Sequence, residues 1–169
     1  MNDRRLKMLS AVLGARLRRR GWVMTCAESC TGGWLAKCVT DVAGSSAWFE
    51  RGFVTYGNAA KQQLLGVDAA LLSRYGAVSE PTVRAMLAGA LGAADADLGV
   101  SISGIAGPDG GAIDKPVGTV WFAWGRRDGS VRAQRRWFAG DRDAVRRAAT
   151  ACALRGLAML AADGATARR

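Results

Sequence analysis

Residues 22–39 read WVMTCAESCTGGWLAKCV, and this stretch decides the fold class. Trp22–Cys26 is a short apolar strand candidate. Ala27-Glu28-Ser29-Cys30-Thr31-Gly32-Gly33 is a run of small residues suited to a tight turn, and Trp34, Leu35, Cys38 and Val39 then recur at helical spacing. A strand entering a turn that opens a helix exposes the turn's side chains and leaves backbone N–H groups free at the helix start. Upstream, Leu6, Leu9, Leu13 and Leu17 form one stripe of an amphipathic helix. Downstream, Gly44-Ser45-Ser46 precedes a strand over Trp48–Tyr56, and Asn58 opens a short helix reaching Leu65. A helix over Pro81–Ala94 carries Val83, Met86, Leu87, Ala90 and Leu91 on one face, with the proline in its first turn. Leu98, Val100 and Ile102 alternate as a strand that runs into the glycine-rich loop Gly104–Gly111. Thr119–Trp124 and Val131–Phe138 flank Asp128-Gly129 as a hairpin, and Asp141 caps a last helix reaching about Ala161. Helices alternating with strands, and a late hairpin, predict an α/β chain. The expectation is one domain over residues 1–169, a three-layer α/β/α arrangement on a mixed sheet.

Composition narrows the chemistry by what it lacks. The 169 residues contain no histidine, which removes Ser-His-Asp and Cys-His nucleophile systems and the commonest metal ligand. Cys26, Cys30, Cys38 and Cys152 form no C-x-x-C pair, so a metal site is not expected, and buried inert thiols are. No apolar run is long enough to cross a bilayer, and the basic N-terminus lacks the apolar core and cleavage site of a signal peptide, so a cytoplasmic location is expected. The net charge is +10, but the basic residues are scattered and no aromatic residues interleave with them. That favours a solvated arginine surface, with some attraction for small anions, over a nucleic-acid face. Only four of the 24 basic residues are lysines: Lys7, Lys37, Lys61 and Lys115. A lysine in a central segment then stands out, because lysine can lose its proton and arginine effectively cannot.

Three side chains compete for a chemical role. Ser29, in the turn after the first strand, is placed either as a nucleophile or as the cap of the next helix. Tyr56 and Lys61 follow at the end of a strand and the start of a helix, where a neutral Lys61 would accept the serine proton and Tyr56 would relay it or orient the amine. The alternative is an ordinary surface lysine. An unperturbed lysine has a pKa near about 10.4, so roughly one in a few thousand is neutral at pH 7, and the site must depress it by desolvation or nearby positive charge. Backbone N–H groups near Thr31, Gly32 and Gly33, or near Ser45 and Ser46, are alternative oxyanion donors. The loop that includes Gly104 and Gly107 is long for a plain connection and offers N–H donors to an anion, and Arg142 is either a bidentate phosphate ligand or solvated. Cys30 is a rival nucleophile.

Read together, the segments Ala27–Gly33, Gly44–Ser46, Gly52–Tyr56 with Asn58 and Lys61, Gly76–Glu80, Ser103–Gly111, Lys115–Thr119 and Gly140–Arg142 resemble, in order and over nearly the whole chain, the CinA C-terminal family. The resemblance implies an α/β/α domain without a metal or cofactor and a Ser/Lys/Tyr catalytic group, here Ser29, Lys61 and Tyr56. It also implies an activity, hydrolysis of the carboxamide of nicotinamide mononucleotide to nicotinic acid mononucleotide and ammonia. Substrate contacts are then expected from Thr31, Gly32, Gly33, Gly44, Ser45, Ser46, Ser103, Gly104, Gly107 and Arg142. Gly57 departs from the family's Tyr-Ser-Asn pattern. A homodimer is the expected assembly, with Trp48, Trp121 and Trp124 suited to a subunit contact or, more simply, to core packing. The competing readings are a non-catalytic nucleotide-binding module and a basic protein associated with competence or DNA damage.

Overall fold

A computed structural model describes residues 2–162. The first helix, α1 (Asp3–Arg20), starts where the Asn2 side chain accepts the Arg5 N–H, and buries Leu6, Leu13 and Leu17. Its stripe is anchored by these three leucines, each worth about 1.5–3 kcal/mol of burial; Leu9 is only partly buried. Strand β1 (Met24–Glu28) is buried at every position. It is followed by α2 (Trp34–Thr40), a single 3₁₀ turn at Ser45–Ala47, β2 (Phe49–Val54) and α3 (Asn58–Leu65). Then come α4 (Ala69–Tyr75), α5 (Glu80–Ala94), β3 (Leu98–Gly104), β4 (Thr119–Arg126), β5 (Val131–Trp137) and α6 (Arg142–Ala162). The cap expected for α6 forms, with Asp141 Oδ1 accepting the Ala144 N–H at 2.9 Å.

The sheet runs β2-β1-β3-β4-β5. β1 pairs in parallel with β2 and β3, while β4 pairs antiparallel with β3 and β5. This is the mixed sheet expected of helical crossovers followed by a hairpin. One face is covered by α5, with α3 and α4 packed beside it, and the other by α6, which also packs on α1 and α2. The chain is therefore a three-layer α/β/α structure.

Two elements differ from the sequence pattern. Leu98–Ser103 is buried at every position, not alternately. β3 is central and covered on both sides, so its small residues pack too: Ser101 donates to the Val83 carbonyl at 2.5 Å, and Gly99 lies against Leu87 and Leu91. Helix α4 was not expected; it starts at the Asp68 side chain, which accepts the Ala70 N–H at 2.8 Å, and buries Leu72. Trp48 and Trp124 are buried and Trp121 half-buried, so these tryptophans pack inside the chain.

Candidate active site

The parallel strands β1, β2 and β3 end at the same pole, where open α/β sheets bind their ligands. Ser29 is the first residue past β1, held by its own N–H on the Ile102 carbonyl at 2.9 Å. Beside it the Thr55 N–H donates to the Glu28 carbonyl at 2.8 Å, extending the β1–β2 pairing past Val54. The chain then turns at Gly57 into α3, and Lys61, in the first turn of that helix, points back into the protein. Its side chain is fully buried. The amine donates to Ser29 Oγ at 3.1 Å, to the Thr55 carbonyl at 2.8 Å and to the Tyr56 carbonyl at 3.1 Å. Three acceptors match the three protons of an ammonium. A neutral amine keeps two of these bonds and turns its lone pair to the third, and the hydroxyl is the one acceptor that can donate in return. Burial lowers the Lys61 pKa from its ordinary value, with Cys30 opposing the shift. Desolvation is therefore the cause, and the arginine-rich surface adds nothing to it.

The turn is clamped by residues that the sequence did not single out. Glu28 is fully buried, and its carboxylate accepts the N–H groups of Gly33 at 3.1 Å, Leu35 at 3.0 Å and Ala36 at 2.8 Å. It thereby satisfies the orphan donors at the start of α2, the favourable place for a negative charge. Gly32 and Gly33 sit at φ +60° and +89°, where a side chain is strained, which is why the turn needs two glycines. From the neighbouring helix α6, Arg146 donates to the carbonyls of Cys30 at 3.1 Å and Thr31 at 2.9 Å.

These bonds decide which turn donors remain. The Gly33 N–H is taken by Glu28, the Gly32 N–H by the Ser29 carbonyl at 3.0 Å and the Trp34 N–H by the Thr31 carbonyl at 3.2 Å. Neither the Cys30 nor the Thr31 N–H is bonded to a backbone carbonyl among the described residues, although the Cys30 N–H meets its own thiol. Of the oxyanion donors expected in the turn, those of Gly32 and Gly33 are thus already engaged.

Ser29 opens onto a cleft of about 280 Å³, shared with Tyr56, Ser103, Gly104, Gly107 and Arg142. Ala77, Val78, Ile105 and Asp109 also line it, and only the segments that contain them stood out in the sequence. Ser103 contributes less than expected, since its hydroxyl is committed to the Ala77 carbonyl at 2.7 Å. Tyr56 is divided in role. Its carbonyl meets Lys61, whereas its exposed phenol accepts from Arg142 Nη2 at 2.8 Å and is not bonded to the amine or to Ser29. Arg142 also donates through Nη1 to the Gly107 carbonyl at 2.7 Å, tying the glycine-rich loop to the rim.

Gly44, Ser45 and Ser46 are misplaced by the sequence reading. They precede β2 at the opposite pole, because Phe49 pairs with Met24 while Val54 pairs with Glu28. The strand between them spans roughly 13 Å, beyond the reach of a backbone N–H. Small-residue turns occur at both ends of strands, and their composition does not say which end. The Cys30 thiol is pushed up to about 12, chiefly by burial, and Cys38 up to about 11. A thiol so protonated is a poor nucleophile near neutral pH. Among the described residues, no group of three or more His, Cys, Asp or Glu side chains is arranged to hold a metal ion. No described helix is long and apolar enough to cross a membrane.

A family model described as the CinA C-terminal domain matches residues 6–161. The chain is 61% identical over 157 residues to the nicotinamide-nucleotide amidohydrolase PncC of Escherichia coli K12, covering 93% of this chain and 95% of that protein. It is 54% identical over 156 residues to the protein of the same name from Pseudomonas putida, covering 92% and 96%. Among solved structures, a CinA superfamily protein from Klebsiella pneumoniae superposes with a TM-score of 0.90 at 42% identity, over 94% of this chain and 99% of that one. A competence/damage-inducible protein from Agrobacterium tumefaciens does so with a TM-score of 0.90 at 40% identity, over 95% and 96%.

Proposed function

The chain belongs to the CinA C-terminal domain family, and on that premise we propose that it is an amidohydrolase that cleaves the carboxamide of nicotinamide mononucleotide, with Ser29 as nucleophile and Lys61 as base. The observation that carries the reading is the buried Lys61 amine at 3.1 Å from Ser29 Oγ in a chain without histidine. The amidohydrolase class and the nucleotide substrate rest on the relatives called PncC.

In the proposed reaction, neutral Lys61 takes the Ser29 proton as Oγ bonds to the carboxamide carbon. The N–H groups of Cys30 and Thr31, the two in the turn that no backbone carbonyl takes, face the oxyanion, as the residues after a nucleophile do in other serine hydrolases. The C–N bond then breaks, and the lysine proton leaves with the departing ammonia. Water, deprotonated by the same amine, hydrolyses the acyl-enzyme to nicotinic acid mononucleotide and frees the serine. Arg142 uses two of its five N–H donors on Gly107 and Tyr56, which leaves three for the 5′-phosphate. The Tyr56 phenol, held by that guanidinium, orients the nucleotide at the rim. This replaces the proton relay that its spacing from Lys61 suggested.

Ammonia release from nicotinamide mononucleotide, the riboside and free nicotinamide tests the reading. Wild-type protein should release ammonia fastest from the mononucleotide, and Ser29→Ala and Lys61→Ala should each abolish release while keeping the helical circular-dichroism signal. Binding of the mononucleotide by wild type without any ammonia would identify a binding module instead.

A further inference from the structure

On the face covered by α6 the sheet extends further than the helices do. Helix α6 packs over β3 and β4, and the flank of β5 that faces it stays open. Arg132, Gln134 and Arg136 occupy alternate positions on β5 and so share this flank. Their β4 partners are Trp124, Phe122 and Val120. Between the flank and α6 lies a groove of about 540 Å³, nearly twice the volume of the Ser29 cleft and sharing no residue with it. Its floor is aromatic. Trp124 stacks on Phe122 with ring centroids 5.1 Å apart, and Phe138 meets Phe122 edge-on at 6.2 Å. The Trp124 indole is buried and its N–H is satisfied by the Ala153 carbonyl at 3.1 Å, so it leaves no orphan donor under the groove. The opposite wall comes from α6, where Cys152, Arg155 and the exposed Met159 line the groove.

The rim decides what fits. Arg132, Arg136 and Arg155 surround the apolar floor, no Asp or Glu lines the groove, and none of the three pairs with a carboxylate among the described residues. Elsewhere the same arginine-rich surface does find carboxylates: Arg84 pairs with Glu80, Arg127 with Asp95, and Arg147 with Asp3 and Asp143. The volume lies in the range of small-molecule sites, which combine apolar walls with a few fixed polar groups. A second copy meeting this edge across a two-fold axis would set Arg132, Arg135 and Arg136 against their own counterparts, an arrangement that basic edge strands resist. The sequence after Ala162 carries two arginines against one aspartate, so it does not complement the rim either.

We propose that the groove between β5 and α6 is a binding site for a small anion with a flat apolar body, the ring lying against the partly exposed Phe138 and the edge of Trp124, and the anionic group held by Arg132, Arg136 and Arg155. A carboxylate and a phosphate present the same charge to these guanidiniums, so an aromatic acid and a nucleotide are two sources of one chemistry.

The test is a fluorescence titration of the intact protein with 8-anilinonaphthalene-1-sulfonate, a flat apolar anion. Wild type should bind one equivalent. The double variant Arg132→Gln/Arg136→Gln should bind about tenfold more weakly or worse, the loss expected for charge-assisted hydrogen bonds. Met159→Glu, which puts a carboxylate at an exposed position on the wall, should weaken binding similarly. All variants should keep the wild-type melting temperature and any ammonia release, since none of these side chains lines the Ser29 cleft. Displacement of the probe by 2-naphthoate alone assigns an aromatic acid, and displacement by adenosine monophosphate alone assigns a nucleotide. Equal affinity of wild type and both variants overturns the proposal. So does a wild-type dimer that dissociates in Met159→Glu on sedimentation, because the occupant would then be a second copy.

Discussion

At the residue scale the proposed chemistry depends on the protonation of one amine. Lys61→Arg keeps the charge and some of the donors but supplies no lone pair near neutral pH, so turnover should fall by about 10²–10⁴-fold, the usual worth of a general base. Near-normal kcat in that variant would remove Lys61 from the base role. Because burial lowers the Lys61 pKa, kcat/KM of the wild type should rise with pH as the amine loses its proton. Stability should move in the same direction. Between the lowered pKa and the ordinary value of 10.5 the unfolded chain binds more protons than the folded one, so the lysine's contribution to stability rises with pH across that window. Below the window the buried charge costs its full amount. Thermal melts of wild type and Lys61→Met should therefore diverge in favour of wild type as the pH is raised from about 7 towards the ordinary lysine value. A constant difference would mean that the amine is not depressed. Cys30→Ser should keep most activity, since its thiol is pushed up to about 12 and holds little thiolate. The meeting of Ser29 and Lys61 was legible in the sequence because the missing histidine and the scarcity of lysine narrowed the choice of a pair. The division of Tyr56 between carbonyl and phenol was not, because spacing along a chain does not say which atom of a residue faces a neighbour. Nor was Glu28, whose adjacency to Ser29 says nothing about the three N–H groups it accepts.

At the element scale the site is only as precise as the packing of the helices that carry it. α3 brings Lys61 to Ser29, and its end rests on α5 so closely that a Cβ on Gly89 would lie 2.0 Å from the Leu65 carbonyl oxygen. Gly89→Ala must push α3 away. It should cost about 1–3 kcal/mol of stability and lower kcat as well, because Lys61 moves while Ser29, fixed to β3, does not. Gly92→Ala on the same helix meets nothing within 4 Å. It should be neutral or stabilising by up to about 1 kcal/mol, with kcat unchanged. Equal kcat values for the two variants would disconnect α3 packing from the chemistry. Glu28→Gln tests α2 in the same way. The amide offers one acceptor oxygen where the carboxylate offers two, so a helix-start N–H is orphaned at about 1–3 kcal/mol, and kcat should fall without a shift of the pH limb set by Lys61. A displaced limb would mean that Glu28 acts electrostatically on the base. The long elements were readable because their apolar periods are sustained: α5 and α6 repeat over several turns, and the β4–β5 hairpin carries Asp128-Gly129. Helix α4 was not readable, since seven residues complete barely two turns of pattern. The polarity of Gly44–Ser46 was hidden for another reason: strand order in a sheet is settled by which faces the helices cover, and no local segment records it.

At the scale of the whole molecule the net charge of +10 acts over distances that no single residue spans. The sequence placed that charge on a scattered surface. In the structure some of it is tied to the site, where the exposed Arg142 and the half-buried Arg146 brace the loop and the turn around Ser29, and the rest forms a diffuse positive field. Such a field raises the local concentration of an anionic substrate without altering the bond that breaks. It also weakens with salt, because the Debye length shrinks from about 30 Å at 0.01 M to about 8 Å at 0.15 M ionic strength. For nicotinamide mononucleotide, KM should therefore rise as potassium chloride is added across that range, while kcat stays level. Nicotinamide riboside lacks the phosphate, and its KM should respond much less to the same additions. A parallel rise for both substrates would mean that salt perturbs the cleft itself. A flat KM for the mononucleotide would mean that the positive surface does not reach the substrate, leaving Arg142 and the loop as the only hold on its phosphate.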